Sequence, residues 1–120
     1  MDSGRFTTGV KVTVRRQGEG FFGPGIAELM ERIAECGSVK EACLRMGLSY
    51  SKGRFILKRA ERAWGCPLVA VRHGGSGGGA AVLTAEGEAL LAAFRQMEAE
   101  IQKSAEEHFR KFLRHRSDLT

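Results

Sequence analysis

The sequence of 120 residues predicts a mainly α-helical fold with a small β component. Three observations support that prediction. Apolar residues recur every three or four positions in four separate segments, which is typical of amphipathic helices. Serine, threonine and glycine stand where those segments are expected to begin and end. Short apolar runs flank a glycine-rich stretch over residues 73–79, which predicts a β-hairpin.

The N-terminal part of the chain predicts a strand and a first helix. Val10–Val14 alternates apolar and polar side chains, as half-buried strands do, and Arg15–Gly20 has the composition of a polar turn. Apolar residues after Pro24 recur at helical spacing, and proline is well tolerated in a first helical turn. We therefore expect a helix over Pro24–Glu35 that is ended by Gly37.

The next two predicted helices are joined by a tight turn that contains glycine. Ser38-Val-Lys-Glu41 has the pattern of a capping box, which starts a helix over Val39–Met46. Gly47 ends that helix, and Ser49 caps a third helix that continues to about Trp64. Two helices joined in this way, after a supporting first helix, form a helix-turn-helix motif.

The third helix is predicted to have one inward face and one basic outer face. Gly53, Leu57, Ala60 and Trp64 recur at helical spacing and are expected to pack inward. We expect Gly53 to permit a close helix crossing, because an interior glycine costs about 1 kcal/mol relative to alanine. Phe55 is either a core residue or a contact to a thymine methyl group. The basic residues fall largely on the outer sides: Lys52, Arg54, Lys58, Arg59 and Arg62.

The glycine-rich stretch lies between two short apolar segments, Pro67–Val71 and Ala80–Leu83. A hairpin directly after such a helix is a wing, and its glycines would let backbone N–H groups approach a phosphate closely. Nucleotide binding and a plain interdomain linker are the competing interpretations. The pattern G-x-G-x-x-A is present, but it does not open a crossover helix after a parallel strand, and no Gly-Lys-Ser or Gly-Lys-Thr of a Walker loop occurs.

Thr84 is the expected N-cap of a last helix over Ala85–Leu113. A helix of roughly 29 residues spans over about 40 Å at 1.5 Å per residue, which is more than a small domain can cover. We expect two copies to pair through it as a two-fold homodimer, with their third helices about one DNA turn apart. The alternative is a helix that folds back on its own protomer. The predicted interface is one stripe at steps of three and four: Leu90, Phe94, Met97, Ile101, Ala105, His108 and Phe112.

Positive charge is concentrated in the middle of the chain. The net charge is +5, and residues 49–83 hold six basic residues against the single acid Glu61. A basic excess confined to one segment is typical of a surface that binds a polyanion, because contacts to phosphates release counterions. We therefore expect double-stranded DNA as a partner. A solvated charged face is the alternative.

Other features argue against further classes of protein. Three cysteines without C-x-x-C spacing indicate buried free thiols in a reducing compartment, and three scattered histidines predict no metal site. No apolar run approaches the ~20 residues of a membrane span, and the N-terminus lacks the apolar core of a signal peptide. We expect a cytoplasmic protein without a cofactor. No Ser/His/Asp or Cys/His pairing can be argued, so we expect no enzymatic activity.

Several short motifs together resemble a known family. They are Phe22-Gly-Pro-Gly25, Gly37-Ser38, Gly47-Leu48-Ser49-Tyr50, Pro67-Leu68-Val69, the glycine-rich stretch, and Ala81-Val82-Leu83-Thr84 with Gly87. Over roughly residues 10–113 the chain resembles the N-terminal DNA-binding domain of the ModE family of molybdate-responsive regulators. More distantly, it resembles the winged domain of LysR-type regulators. Full-length ModE proteins continue into molybdate-binding domains, so for this chain we expect no bound molybdate.

The resemblance implies a winged helix-turn-helix DNA-binding domain over residues 1–83 and a dimerisation helix over residues 84–120. Residues expected to face base edges are Ser49, Tyr50, Ser51, Lys52 and Arg54. Residues expected to face the DNA backbone are Lys58, Arg59, Arg62, Arg72 and wing glycines that include Gly75 and Gly77. Arg72 and His73 could also enter an adjacent minor groove. The expected function is sequence-specific regulation of transcription by a homodimer. The alternative is a winged-helix module that binds a protein partner or a sensor protein in trans.

Overall fold

The computed structural model describes residues 5–72 and 80–119 and confirms the predicted winged helix-turn-helix fold. Four helices and two separate antiparallel hairpins are formed by the described residues. No helix among them is long and apolar enough to span a bilayer. The elements in chain order are β1 (Val14–Arg16), β2 (Glu19–Phe22), α1 (Pro24–Cys36), α2 (Val39–Arg45), α3 (Tyr50–Trp64), β3 (Val69–Arg72), β4 (Ala80–Leu83) and α4 (Ala85–Leu119).

The N-terminal strand was predicted in the wrong place. The strand β1 begins at Val14, where the predicted strand Val10–Val14 was expected to end, and it pairs with β2 in antiparallel register. Gln17 and Gly18 both adopt left-handed backbone conformations, with φ of 51° and 84°. Two successive left-handed residues form the tight turn that matches the twist of a two-stranded hairpin. The segment predicted as a polar turn is therefore a hairpin.

Local capping determines where α1 and α2 begin and end. Gly37 ends α1 in a left-handed conformation, and its N–H donates to the carbonyl of Ile33 at 2.8 Å. The hydroxyl of Ser38 accepts a hydrogen bond from the N–H of Glu41 at 3.0 Å, as the predicted capping box requires. The Glu41 carboxylate lies 3.5 Å from Arg45, one turn further along α2. These bonds confirm the predicted start of α2.

The three helices cross closely at a point that only glycine can occupy. A Cβ atom on Gly53 of α3 would collide with the Sγ atom of Cys43 on α2. This confirms the predicted close approach. Cys43 is buried, and burial raises the pKa of its thiol. Cys36 and Cys66 are free thiols that are only partly buried, so the prediction of buried thiols holds in full for Cys43 alone.

One apolar cluster joins the helices, both hairpins and the beginning of α4. Trp64, predicted to pack inward, is instead 41% exposed because α3 ends beyond the edge of the cluster. Its ring centroid lies 6.3 Å from that of Phe21, and its Nε1–H donates to Glu86 at 3.1 Å. The buried members of the cluster are Phe21, Phe22, Ile26, Ala27, Leu29, Met30, Ile33, Ala42, Cys43, Leu57, Ala60, Leu68, Ala81, Leu90 and Phe94.

Backbone hydrogen bonds attach the β3–β4 hairpin to the helices. The N–H of Ala81 donates to the carbonyl of Gly37 at 2.8 Å, which joins β4 to the end of α1. The Thr84 hydroxyl donates to the carbonyl of Pro67 at 2.8 Å and accepts from the N–H of Gly87 at 2.9 Å. Thr84 is therefore the N-cap of α4, as predicted. A Cβ atom on Gly87 would collide with the carbonyl of Leu68, so glycine is required here too.

The first third of α4 belongs to the core of its own protomer. Leu90 and Phe94 are buried, and the Phe94 ring packs edge-on against that of Phe22 with centroids 5.1 Å apart. Arg95 forms two hydrogen bonds, of 2.6 and 3.1 Å, with the carboxylate of Glu31 on α1. The assignment of Leu90 and Phe94 to a dimer interface therefore needs correction, because intramolecular packing already covers both side chains.

The rest of α4 projects from the core and carries the N-terminal segment along one side. The molecule measures 69 × 30 × 23 Å because of this projection. The Thr8 hydroxyl donates to Glu106 at 2.8 Å, and the Gln102 amide donates to the carbonyl of Thr8 at 2.6 Å. The rings of Phe6 and Phe109 meet edge-on at 6.1 Å. The sequence did not predict this contact between residues about a hundred positions apart.

Candidate nucleic-acid interface

The outer face of α3 is a continuous, exposed and mainly basic surface. Residues of α3 that are spaced by four, three and four positions lie along one line of a helix. Such a line runs opposite the buried residues Gly53, Leu57 and Ala60. We call it the α3 ridge, and its members are Ser51, Phe55, Lys58 and Arg62, all of them exposed. Tyr50, Lys52, Arg54 and Arg59 are exposed on its two sides.

The N-terminal turn of α3 has a defined polar arrangement. The Ser49 hydroxyl accepts a hydrogen bond from the N–H of Lys52 at 3.1 Å and so caps the helix as predicted. The phenol of Tyr50 accepts a hydrogen bond from Arg54 at 3.1 Å, and the guanidinium lies 5.7 Å from the ring centroid. That hydrogen bond raises the pKa of Arg54. The phenolic hydrogen and the other guanidinium N–H groups of this pair are available to a partner.

Phe55 is not a core residue, which decides between the two alternatives that the sequence left open. Its side chain is 58% exposed in the middle of the α3 ridge. The guanidinium of Arg59 lies 5.8 Å from its ring centroid. An exposed aromatic residue flanked by basic side chains can contact apolar groups on base edges or stack on a base.

Glu61, the single acid of the basic segment, holds the β3–β4 hairpin against α3. One of its carboxylate oxygens accepts hydrogen bonds from the N–H groups of Leu68 and Val69, at 2.8 and 3.2 Å. The other oxygen lies 3.5 Å from the Lys58 ammonium, and the Glu61 side chain is only 13% exposed. Sequence analysis noted this residue only as a charge and missed its role. Its isolation among basic residues was the available signal.

The base of the β3–β4 hairpin presents Arg72 beside two exposed apolar residues. Arg72 is the last residue of β3 and pairs with Ala80, the first residue of β4. Val71 and Val82 are exposed on the hairpin. The predicted contacts of His73, Gly75 and Gly77 lie outside the described residues.

The β1–β2 hairpin adds basic residues that the sequence analysis did not assign to the site. A guanidinium N–H of Arg16 donates to the carbonyl of Ala63, near the end of α3, at 2.8 Å. A cleft of about 450 Å³ lies between this hairpin and α3. Arg16, Arg59, Arg62 and Glu19 all line it. Arg15 and Arg16 were overlooked because they stand in a segment whose total charge is nearly balanced.

The outer half of the α4 stripe is exposed in the single chain. Ile101 and Phe112 are 38% and 58% exposed, and Ala105 between them is half-buried. His108 is exposed, with its Nδ1 2.8 Å from the carbonyl oxygen of Ser104. Met97 is partly buried against the core. The described part of the chain contains no group of three or more His, Cys, Asp or Glu side chains that could hold a metal ion.

Comparison with known proteins agrees with this architecture. A family model described as "Bacterial regulatory helix-turn-helix protein, lysR family" matches residues 27–88, from α1 into the first turn of α4. Two proteins of Rhodobacter capsulatus, the molybdenum-pterin-binding proteins MopB and MopA, are 34% and 31% identical over 102 and 93 residues. These matches cover 85% and 78% of this chain but 37% and 35% of the relatives. The chain therefore spans little more than a third of their length.

Proposed function

We propose that this chain, which belongs to the lysR family of bacterial regulatory helix-turn-helix proteins, is a sequence-specific DNA-binding regulator of transcription. The observation that supports this most strongly is the α3 ridge. Its side chains are exposed opposite the face that packs in the core, as a helix that enters a major groove requires.

We assign the residues of the site to two tasks. At the N-terminal end of α3, hydroxyl, phenol and cationic groups can pair with the distinct donors and acceptors of base edges. These residues are Ser49, Tyr50, Ser51, Lys52 and Arg54. Phe55 adds an apolar surface for thymine methyl groups. Lys58, Arg59, Arg62 and Arg72 neutralise phosphates, and the glycines of residues 74–79 approach the backbone.

We further propose that the functional unit is a homodimer formed by the outer half of α4. Ile101, Ala105, His108 and Phe112 lie on one line at spacings of four, three and four, and all except Ala105 are exposed. The N-terminal segment covers the neighbouring side of α4, through Gln102 and Glu106, and leaves this line open. A two-fold pair of α4 helices would place two α3 ridges on successive half-sites.

The names of the relatives raise molybdenum-pterin binding as a different activity. We propose DNA binding rather than pterin binding for this chain. The region that matches the regulatory family contains α3, and the charged groups of the described residues lie on the surface of the molecule. Neither an enzymatic activity nor a resident cofactor is part of the proposal.

The salt dependence of DNA affinity tests the proposed function. An operator selected from random duplexes would be titrated by fluorescence anisotropy. The logarithm of the affinity should fall linearly with the logarithm of salt concentration, by about 0.9 per neutralised phosphate. Six contacts would lower the affinity roughly 1000-fold between about 50 and about 200 mM salt. A module that binds a protein through an apolar helix would bind duplex DNA weakly and without sequence preference.

A further inference from the structure

The helix α3 lies between two hairpins, and only the β3–β4 hairpin was predicted to contact DNA. A small cleft between α3 and β3 is lined by Arg54, Lys58 and Val71. The cleft on the β1–β2 side is lined by Arg59, Arg62 and Ala63. Arg54 and Ala63 are nine residues apart, or two and a half helical turns, and therefore lie on opposite sides of α3. The α3 ridge runs between the two hairpins.

The β1–β2 hairpin is held firmly in this position. Phe21 and Phe22 at its base are buried in the core. The Phe21 ring also contacts that of Trp64 at the end of α3, and Arg16 donates to the carbonyl of Ala63. The tight turn at Gln17 and Gly18 leaves little freedom between the two strands. A side chain on this hairpin therefore has a defined place relative to α3.

The surface between this hairpin and α3 is positively charged. Arg16, Arg59 and Arg62 line the cleft together with one carboxylate, that of Glu19. Arg15, the neighbour of Arg16, is exposed. Within the described part of the chain, neither Arg15 nor Arg62 forms an ion pair, so both guanidinium groups are available to an anion.

We propose that the β1–β2 hairpin is a second wing, which binds the DNA backbone on the side of α3 opposite the β3–β4 hairpin. This inference rests on the proposed function, because it requires the α3 ridge to enter a major groove. The two strands that border a major groove about 12 Å wide would then each contact one hairpin. Arg15 and Arg16 bind phosphates on one border, and Arg72 binds the other.

The test compares charge-neutralising variants of the hairpin with a matched control elsewhere. Arg15→Gln, Arg16→Gln and the double variant would be titrated on the selected operator over a range of salt concentrations. Each single variant should lower affinity roughly 5- to 10-fold and make the salt dependence shallower by about 0.9. Arg32→Gln removes the same charge from α1, where Arg32 pairs with Glu28 and Glu35, and should leave the salt dependence unchanged.

Two further measurements separate binding from folding. Arg16→Lys keeps the charge and should recover most of the affinity even if its Tm is lower, because a phosphate contact requires the cation. Arg15→Gln makes the same test without touching the bond to Ala63. In phosphate ethylation interference, the wild-type protein should show two groups of sensitive phosphates, one on each border of the groove. The double variant should lose one group.

Three results would overturn the second wing while leaving the proposed function intact. The wild-type protein would bind the operator, but the double variant would match Arg32→Gln in salt dependence. Both groups of sensitive phosphates would persist in the double variant. Alternatively, inorganic phosphate would raise the Tm of the wild-type protein and not of the double variant, with DNA binding unchanged, which would indicate a site for a free anion. Failure of the wild-type protein to bind any duplex would instead overturn the proposed function.

Discussion

Gly53 on α3 faces the Sγ atom of Cys43 on α2, with no space for a Cβ atom between the two helices. The position of the α3 ridge depends on this contact. Alanine is the better helix former by about 1 kcal/mol, so a favourable effect of Gly53→Ala would be expected on propensity alone. We expect the opposite, a loss of about 1–3 kcal/mol in the free energy of unfolding, because the added methyl group overpacks a buried crossing.

Chemical denaturation of Gly53→Ala, Cys43→Ala and the double variant tests this expectation. Cys43→Ala removes the sulfur atom that the new methyl group would meet. The double variant should therefore be more stable than the sum of the two single changes predicts. Additive losses would show that the two helices separate without resistance.

Lys52 and Arg62 should have different effects on DNA binding, because we place Lys52 at base edges and Arg62 at a phosphate. Lys52→Ala should change which sequences are recovered from a random pool. Arg62→Ala should weaken binding to all sequences about equally, with a salt dependence shallower by about 0.9. Equal losses across sequences in both variants would contradict this division.

Phe55 should distinguish thymine from uracil in the operator. Replacing a contacted thymine by uracil removes one methyl group, which corresponds to roughly 0.8 kcal/mol of buried apolar surface or about a four-fold loss of affinity. Phe55→Ala should bind the two duplexes equally. Uracil substitutions outside the protected region provide the control. A difference that persists in Phe55→Ala would assign the methyl contact to another residue.

Glu61 should stabilise the protein through the two backbone N–H groups that it accepts. Glu61→Gln leaves a weaker acceptor in a half-buried place and removes the partner of Lys58, so we expect a loss of about 1–3 kcal/mol in the free energy of unfolding. Glu28→Gln is the matched control, because Glu28 forms only an exposed pair with Arg32. Its effect should stay within about 0.5 kcal/mol. Equal effects in the two variants would show that Glu61 does not hold the hairpin.

The outer line of α4 should determine the oligomeric state. Ile101→Glu and Phe112→Glu place a carboxylate in the proposed interface and should convert a dimer to a monomer in sedimentation experiments. Lys103→Glu introduces a carboxylate on the opposite side of α4 and should remain dimeric. A monomeric wild-type protein, or dimers in all variants, would contradict this interface.

The boundaries of α1, α2, α3 and β4 could be predicted within one or two residues because their signals are local. Ser38, Ser49 and Thr84 cap helices through bonds within three residues of themselves. The β1–β2 hairpin was missed because its turn uses a non-glycine residue, Gln17, in a left-handed conformation. Sequence alone gives little warning of that.

Features that depend on distant residues could not be predicted. The stripe on α4 is continuous in the sequence, but nothing in its spacing shows that Leu90 and Phe94 pack on Phe22 while Phe112 stays exposed. In the same way, the partners of Glu61 and Thr8 become visible only when the chain is folded. The candidate site was therefore predicted well along α3 and poorly where a second element approaches it.

The most direct test of the central claim is an NMR titration of the isotopically labelled protein with the selected operator duplex. The account predicts that the largest shift changes fall on residues 49–62, on Arg15 and Arg16, and on Arg72, while the outer half of α4 changes little. Changes confined to the outer half of α4, or dispersed over the whole surface, would contradict the claim that the α3 ridge binds DNA.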